Sequence, residues 1–243
     1  MGAAPARIVA RRPRPKAYLL LSRVSNLPTV WTNVVAGAAL VHRTEPFSMV
    51  VQVAVAISFM YTGGMFLNDA FDARFDAVHR RDRPIPSGDV PRREVLAVGF
   101  ALLAIAELWL ALAVGARALA WGLALAAAIV AYDYRHKQFR FGPLVMGLCR
   151  GLVYVVAASL AAETPAVPVA LAAAALTCYV MSLTWVAKQT GPAAARVIPA
   201  MIAGISLVDA VVILVSGGGL ELALGAVCAF ALTLALQRVV PGT

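Results

Sequence analysis

Acidic residues are scarce in this chain and unevenly spread. Only 12 of 243 residues are Asp or Glu, and none lies between Glu163 and Asp209. Charged residues of both signs amount to 14%, while 61% of residues are hydrophobic, against about 45–50% apolar in ordinary soluble domains. This excludes a water-soluble globular class and leaves a polytopic membrane protein. Cysteine is equally sparse. Cys149, Cys178 and Cys228 are far apart, each in an apolar stretch. Their spacing supports neither a metal centre nor a disulfide, so they read as small core residues.

The formal net charge is +9. In a soluble domain that excess would suggest nucleic acid. Here the cations cluster between apolar stretches, so they are read as marking topology and meeting anionic lipid headgroups, with no nucleic-acid partner.

Eight apolar stretches approach the length of about 20 residues needed to span a bilayer: Tyr18–Val41, Met49–Leu67, Val95–Gly115, Arg117–Tyr132, Pro143–Ala162, Val167–Ala187, Val197–Val215 and Gly219–Arg238. The fourth is short. The expected architecture is all-α, a single bundle of about eight to nine transmembrane helices over residues 18–243, preceded by a basic tail, residues 1–17. All Lys and Arg except Arg43 and Arg117 fall on one side of this arrangement. The positive-inside rule makes that side cytoplasmic, with both termini and the loop over residues 68–94.

That loop holds half of all the acids, four of them in the string NDAFDARFDAVHRRDRPIPSG, Asn68 to Gly88. If the second span continues as a helix, Asp69, Asp72 and Asp76 stand at i, i+3 and i+7. They then lie within an arc of about 60° over roughly 10 Å of axis. Pro and Gly in RPIPSG end the helix and fix a turn, which would return Arg83 to the aspartates. Carboxylates on one face with Arg80, Arg81 and Arg83 beyond them suit a hard cation and an anion together, such as Mg²⁺ sharing its ligands with a diphosphate. The bland alternative is a solvated loop whose charges only mark topology.

This segment resembles the first aspartate-rich motif of the UbiA superfamily of intramembrane prenyltransferases, NDxxDxxxD followed by RP-x-x-x-G. Arg23 and Asn26 resemble that family's R-x-x-N pattern, and Tyr132 and Lys137 in YDYRHK its Tyr and Lys after the fourth helix. The combination of YDYRHK, GPLVMGLCR and AKQ resembles the divergent EboC-like branch. The resemblance implies that Asp69, Asp72 and Asp76 bind Mg²⁺ and that Asp72, Asp76, Arg83 and Lys137 serve catalysis. It implies a prenyl diphosphate donor and a hydrophobic acceptor, met within the lipid of a bacterial inner membrane. Arg23, Asn26, Asn68, Arg80, Arg81, Tyr132, Arg150 and Lys188 are the expected substrate-binding residues.

Other polar residues in apolar stretches carry two readings each. Ser22, Asn26, Thr29 and Asn33 form a stripe on the first span that faces either a cavity or a neighbouring helix. Arg23 contacts diphosphate or snorkels to headgroups. Arg150 lies inside an apolar span, where an unpaired charge is costly, and is expected at the cavity or beside an acid. Gly147 and Gly151 are read as close-packing positions. Glu107 and Asp209 are buried partners for arginine or lie near an interface.

One feature departs from the family pattern. Most members have a second aspartate-rich motif between the sixth and seventh spans, where this chain reads TWVAKQTGPAAARVIP, with Lys188 but no acid. Either Lys188 replaces the second metal electrostatically, or the chain is a non-catalytic binding or export component that keeps the pocket.

Overall fold

The computed structural model describes residues 12–41, 46–135, 141–161, 166–189 and 192–242. Its elements are α1 (Arg14–Ser22), a 3₁₀ turn (Val24–Asn26), α2 (Leu27–Ala39), α3 (Phe47–His79), α4 (Arg92–Trp109) extended by a π turn (Leu110–Val114), α5 (Ala116–Arg135), α6 (Gly142–Ala158), α7 (Ala166–Ala187), α8 (Pro192–Val215) and α9 (Leu220–Gln237). No strand occurs among the described residues. Six of the helices are long and apolar enough to cross a membrane, and Gly142–Ala158 is a shorter apolar one.

The first expected span is not continuous. It breaks at Arg23, which adopts φ 45° and ψ 42°, the sole non-glycine positive φ among the described residues. Pro28 explains the break. It has no N–H for the carbonyl four residues earlier, and its ring would clash with that carbonyl, so a helix can start beside it but not run through it. The chain therefore ends α1, makes one tight turn and restarts as α2 with Pro28 in its first turn.

The second expected span is longer than its apolar stretch. At 1.5 Å per residue, the 33 residues of α3 extend about 50 Å, some 20 Å beyond a hydrocarbon core of about 30 Å. The excess is the aspartate segment, so Asp69, Asp72 and Asp76 do share one continuous helix.

Apolar packing builds two halves around a central pair. Val30, Val34 and Ala38 of α2 and Val153, Val156 and Ala157 of α6 join α3, α4 and α5 in one cluster. Ala36, Ala39, Tyr154 and Ala158, from the opposite faces of the same two helices, join α7, α8 and α9 in another. A third, smaller cluster packs Ala17 and Leu21 of α1 on Phe66, Ala70, Val90 and Val95 and so fixes the aspartate end. Large side chains such as Trp121, Leu112, Trp185 and Leu220 are exposed around the outside, as expected where lipid is the solvent. Cys178 and Cys228 join this outer surface and are not core residues; Cys149 is partly buried.

Small residues let the helices approach closely. A Cβ on Gly147 would lie 2.7 Å from the Thr177 carbonyl oxygen, and one on Gly151 2.9 Å from the Thr177 hydroxyl, which makes both the packing positions expected. Gly37 does the same for the central pair, because a Cβ there would lie 2.8 Å from the Tyr154 backbone. Gly37→Val is therefore expected to separate α2 from α6 and to cost about 1–3 kcal/mol as an overpacked core. Gly225→Val, which would meet nothing within 4 Å, is the control. Thermal unfolding of both variants in detergent should show a lowered midpoint for the first alone.

Candidate active site

The aspartate ladder of α3 meets the turn that follows it. Arg80 caps the helix through its N–H to the Asp76 carbonyl at 2.8 Å. The RPIPSG segment then folds back, with the Ser87 N–H on the Arg83 carbonyl at 2.9 Å and Gly88 at φ 78°. Ser87 donates to the Asp89 carboxylate at 2.8 Å, which also accepts the Arg12 N–H at 2.8 Å. Arg92 donates to the Ala70 carbonyl at 2.7 Å and ties the start of α4 to α3. These bonds return Arg83 to the ladder. Its guanidinium reaches Asp69 Oδ1 at 2.9 Å, where Arg23 also donates at 2.7 Å. The left-handed turn at Arg23 thus aims its side chain at α3 and not at headgroups.

Asp69, Asp72 and Asp76 all line one cavity, together with Arg23, Arg80 and Arg83. Among the described residues, however, no three acids, His or Cys gather as a metal-binding group. Asn26, Asn68, Tyr132, Arg150 and Lys188 line the same cavity. Lys188 stands at the exposed end of α7. Arg81, expected to bind substrate, does not line this cavity: it is exposed in the turn after α3, and its Nε donates back to the Ala77 carbonyl of that helix at 3.2 Å. Lys137 lies outside the described residues.

A second, mostly apolar cavity continues from the first and shares Tyr61, Met65, Tyr132, Met146 and Arg150 with it. Its far walls are Val30, Ile57, Met60, Leu125 and Val153. A polar head and a greasy body can therefore occupy adjoining spaces.

The stripe on α2 serves cavity and packing at once. The Asn26 amide donates to Tyr61 Oη at 3.1 Å and to the Gly242 carbonyl at 3.0 Å, and its Oδ1 accepts from Gln237 at 3.0 Å. Thr29 and Asn33 accept from Arg150 at 3.2 and 2.8 Å. Asn33 in turn donates to both oxygens of Asp209, at 2.8 and 2.9 Å. Thr32 at 2.5 Å and Tyr154 at 2.6 Å complete the shell of that carboxylate. Asp209 therefore faces Arg150 through Asn33 and forms no direct pair with it. Glu107 belongs to neither cavity, and its buried oxygens have no hydrogen-bond partner among the described residues.

Several groups in and around the cavities escape sequence reasoning. Asp133 is buried and accepts from Asn68 at 3.1 Å, yet in the sequence it is one charge in a mixed YDYRHK string. Tyr61 lies within an apolar span and gives no periodic signal. Gln237 and Gly242 reach Asn26 from the end of α9, a contact more than 200 residues apart that no local pattern encodes.

A model described as the UbiA prenyltransferase family matches residues 27–241. A digeranylgeranylglyceryl phosphate synthase from Ignicoccus hospitalis is 40% identical over 100 residues, 41% of this chain and 32% of that protein. A 4-hydroxybenzoate octaprenyltransferase from Aeromonas salmonicida is 30% identical over 145 residues, 56% of this chain and 48% of that protein. The matched stretches thus span less than half of these relatives' lengths. The solved structure of a UbiA homolog from Archaeoglobus fulgidus, bound to DMAPP and Mg²⁺, superposes with a TM-score of 0.62 at 15% identity, covering 92% of this chain and 86% of that one. With the family match running through nearly the whole helical bundle, this chain is an integral membrane protein that belongs to the UbiA prenyltransferase family.

Proposed function

We propose that this chain transfers an isoprenyl group from a prenyl diphosphate to a hydrophobic acceptor within the membrane, with Mg²⁺. The observation that carries this reading is the joined pair of cavities. One is lined by three aspartates and five cations, and the other by apolar side chains. The relatives named above are prenyl-transferring enzymes by name, and the Archaeoglobus homolog binds a prenyl diphosphate with Mg²⁺. The aspartate end collects nearly all the Lys and Arg, which supports a cytoplasmic orientation of that end in a bacterial inner membrane.

The residues present fit a hard cation, but with a division of labour among the aspartates. Asp69 Oδ1 is occupied by two guanidinium groups, so Asp69 holds the arginine pair. Asp72 and Asp76 are the carboxylates that would hold Mg²⁺, which is usually bound by one or two carboxylates plus phosphate oxygens and water. When bound, the ion supplies positive charge at the departing diphosphate oxygens. Arg23, Arg83, Arg80 and Lys188 surround the same space and neutralise the rest of that charge. The allylic C–O bond then breaks with its electron pair on the diphosphate, the acceptor's nucleophilic atom bonds to the freed carbon, and the acceptor gives up one proton. The apolar cavity keeps water from the cation. Because the α7–α8 wall brings Lys188 and no carboxylate, one metal serves each diphosphate.

Asp72→Ala and Asp76→Ala should each weaken Mg²⁺-dependent donor binding about tenfold or more, roughly 1.4 kcal/mol, with the fold intact. Asp69→Asn should act on stability instead, because removing one partner of a buried pair costs on the order of 3–5 kcal/mol. Calorimetric titration and thermal unfolding separate the two effects, and equal donor affinity in all three variants would refute the assigned roles. Release of diphosphate from a radiolabelled donor tests turnover itself; tight binding without release would favour a non-catalytic carrier.

The metal count is a separate test. Anomalous scattering from Mn²⁺ in a pyrophosphate complex should reveal one well-occupied site. Lys188→Asp should weaken pyrophosphate binding at low Mg²⁺ and partly recover at high Mg²⁺. Two occupied sites in the wild-type protein would sink the idea that Lys188 stands in for a second ion.

A further inference from the structure

Arg150 is a buried cation with unused hydrogen-bonding capacity. Its residue is 8% exposed, and among the described residues no carboxylate lies within ion-pair distance of it. A guanidinium carries five N–H donors. Two bonds, to Asn33 Oδ1 and Thr29 Oγ1, are its hydrogen bonds to described residues. One face stacks on the Tyr61 ring, 5.6 Å from its centroid. The remaining donors have no protein acceptor among the described residues, and Arg150 lines both cavities.

The group is also held in place. Asn33 cannot present its amide to Arg150 the other way round, because its NH₂ is engaged by both oxygens of Asp209. Thr32 and Tyr154 fix Asp209 in turn. Asp209 balances the charge of Arg150 through Asn33 without offering it an oxygen. This is how a site prepared for an incoming anion differs from a closed ion pair: the charge is stabilised, yet the donors remain available.

Depth separates Arg150 from the diphosphate end. Tyr61, on which it stacks, precedes Asp69 by eight residues on α3, about 12 Å along the axis. Thr29, which it bonds, follows Arg23 by six residues on α2. A diphosphate held at Asp72 and Asp76 sits near the ladder, and Arg150 stands below it at the mouth of the apolar cavity.

We propose that Arg150 is a second anion site, which receives a carboxylate or phosphate carried by the acceptor and turns the acceptor's nucleophilic atom toward the donor carbon. The proposal rests on the prenyl-transfer reading and names the acceptor class within it: a compact amphiphile bearing an anion a few bonds from its nucleophile.

The test uses the purified full chain in detergent, with Mg²⁺ and pyrophosphate filling the upper site. Benzoate and phenyl phosphate are compared with the neutral methyl benzoate by calorimetric titration. The wild-type protein should bind at least one of the anions roughly tenfold or more tightly than the ester, as befits hydrogen bonds to a charged group. Benzoate binding alone would identify a carboxylate site, and phenyl phosphate binding alone a phosphate site. Arg150→Met should lose that preference while keeping pyrophosphate affinity within about twofold. Equal binding of anions and ester by the wild-type protein would overturn the proposal whether or not the variant folds. Loss of pyrophosphate binding in a folded Arg150→Met protein would also overturn it, by assigning Arg150 to the donor. A wild-type protein that prefers the anions but does not bind Mg²⁺-pyrophosphate would uphold the anion site and refute the prenyl-donor reading instead.

Discussion

Asp69 takes hydrogen bonds from Arg23 and Arg83 on a single carboxylate oxygen, and the shape of the whole aspartate end follows from that contact. Arg23 belongs to the break between α1 and α2, Arg83 to the turn after α3, and Asp69 to the start of the ladder. One anion thereby joins three chain segments beside the small apolar cluster of α1 and α3. The side chains of the two arginines are 13% and 17% exposed and that of Asp69 6%. Their attraction is therefore less screened than at a free surface, and losing any one leaves a charge without its partner. Like-charged arginines can stand this close because the carboxylate lies between them.

A second polar system lies deeper and works differently. Around Asp209, every acceptor position is met by Asn33, Thr32 or Tyr154, and the carboxylate is fully buried. The upper system couples loops, whereas the lower one locks the central helices α2 and α6 to α8. In apolar surroundings such networks are stable only when their members are satisfied. This fits the placement of these polar residues on helix faces turned away from lipid.

Much of this arrangement can be read directly from residues 68–88. Helical spacing puts the aspartates on one face, and Pro84, Pro86 and Gly88 announce the turn that returns Arg83. Arg150 is legible too, since a charge deep in an apolar stretch must find polar company. What local pattern cannot supply is which company. The choice of Asn33, with Asp209 behind it, depends on how α2, α6 and α8 pack. The pairing of Asp69 with two arginines likewise needs the fold. The broken first span was encoded as well, by Pro28, but hydropathy runs smoothly across it and hides the break. Arg81 shows the opposite limit. Its neighbours Arg80 and Arg83 line the cavity, whereas in the turn after α3 Arg81 folds back on the Ala77 carbonyl and stays exposed.

The length of α3 couples this chemistry to its solvent. The helix outruns a hydrocarbon layer by about 20 Å, so the ladder stands in the headgroup zone, at a height set by where the apolar part of α3 comes to rest. Bilayers that differ in thickness by a few ångströms would shift that height relative to water. A thicker layer would draw Asp69 and its arginines toward hydrocarbon and strengthen their mutual attraction, and a thinner one would hydrate them. Lipid chain length thus becomes a control on the polarity of the site, exerted without any contact to the residues that line it.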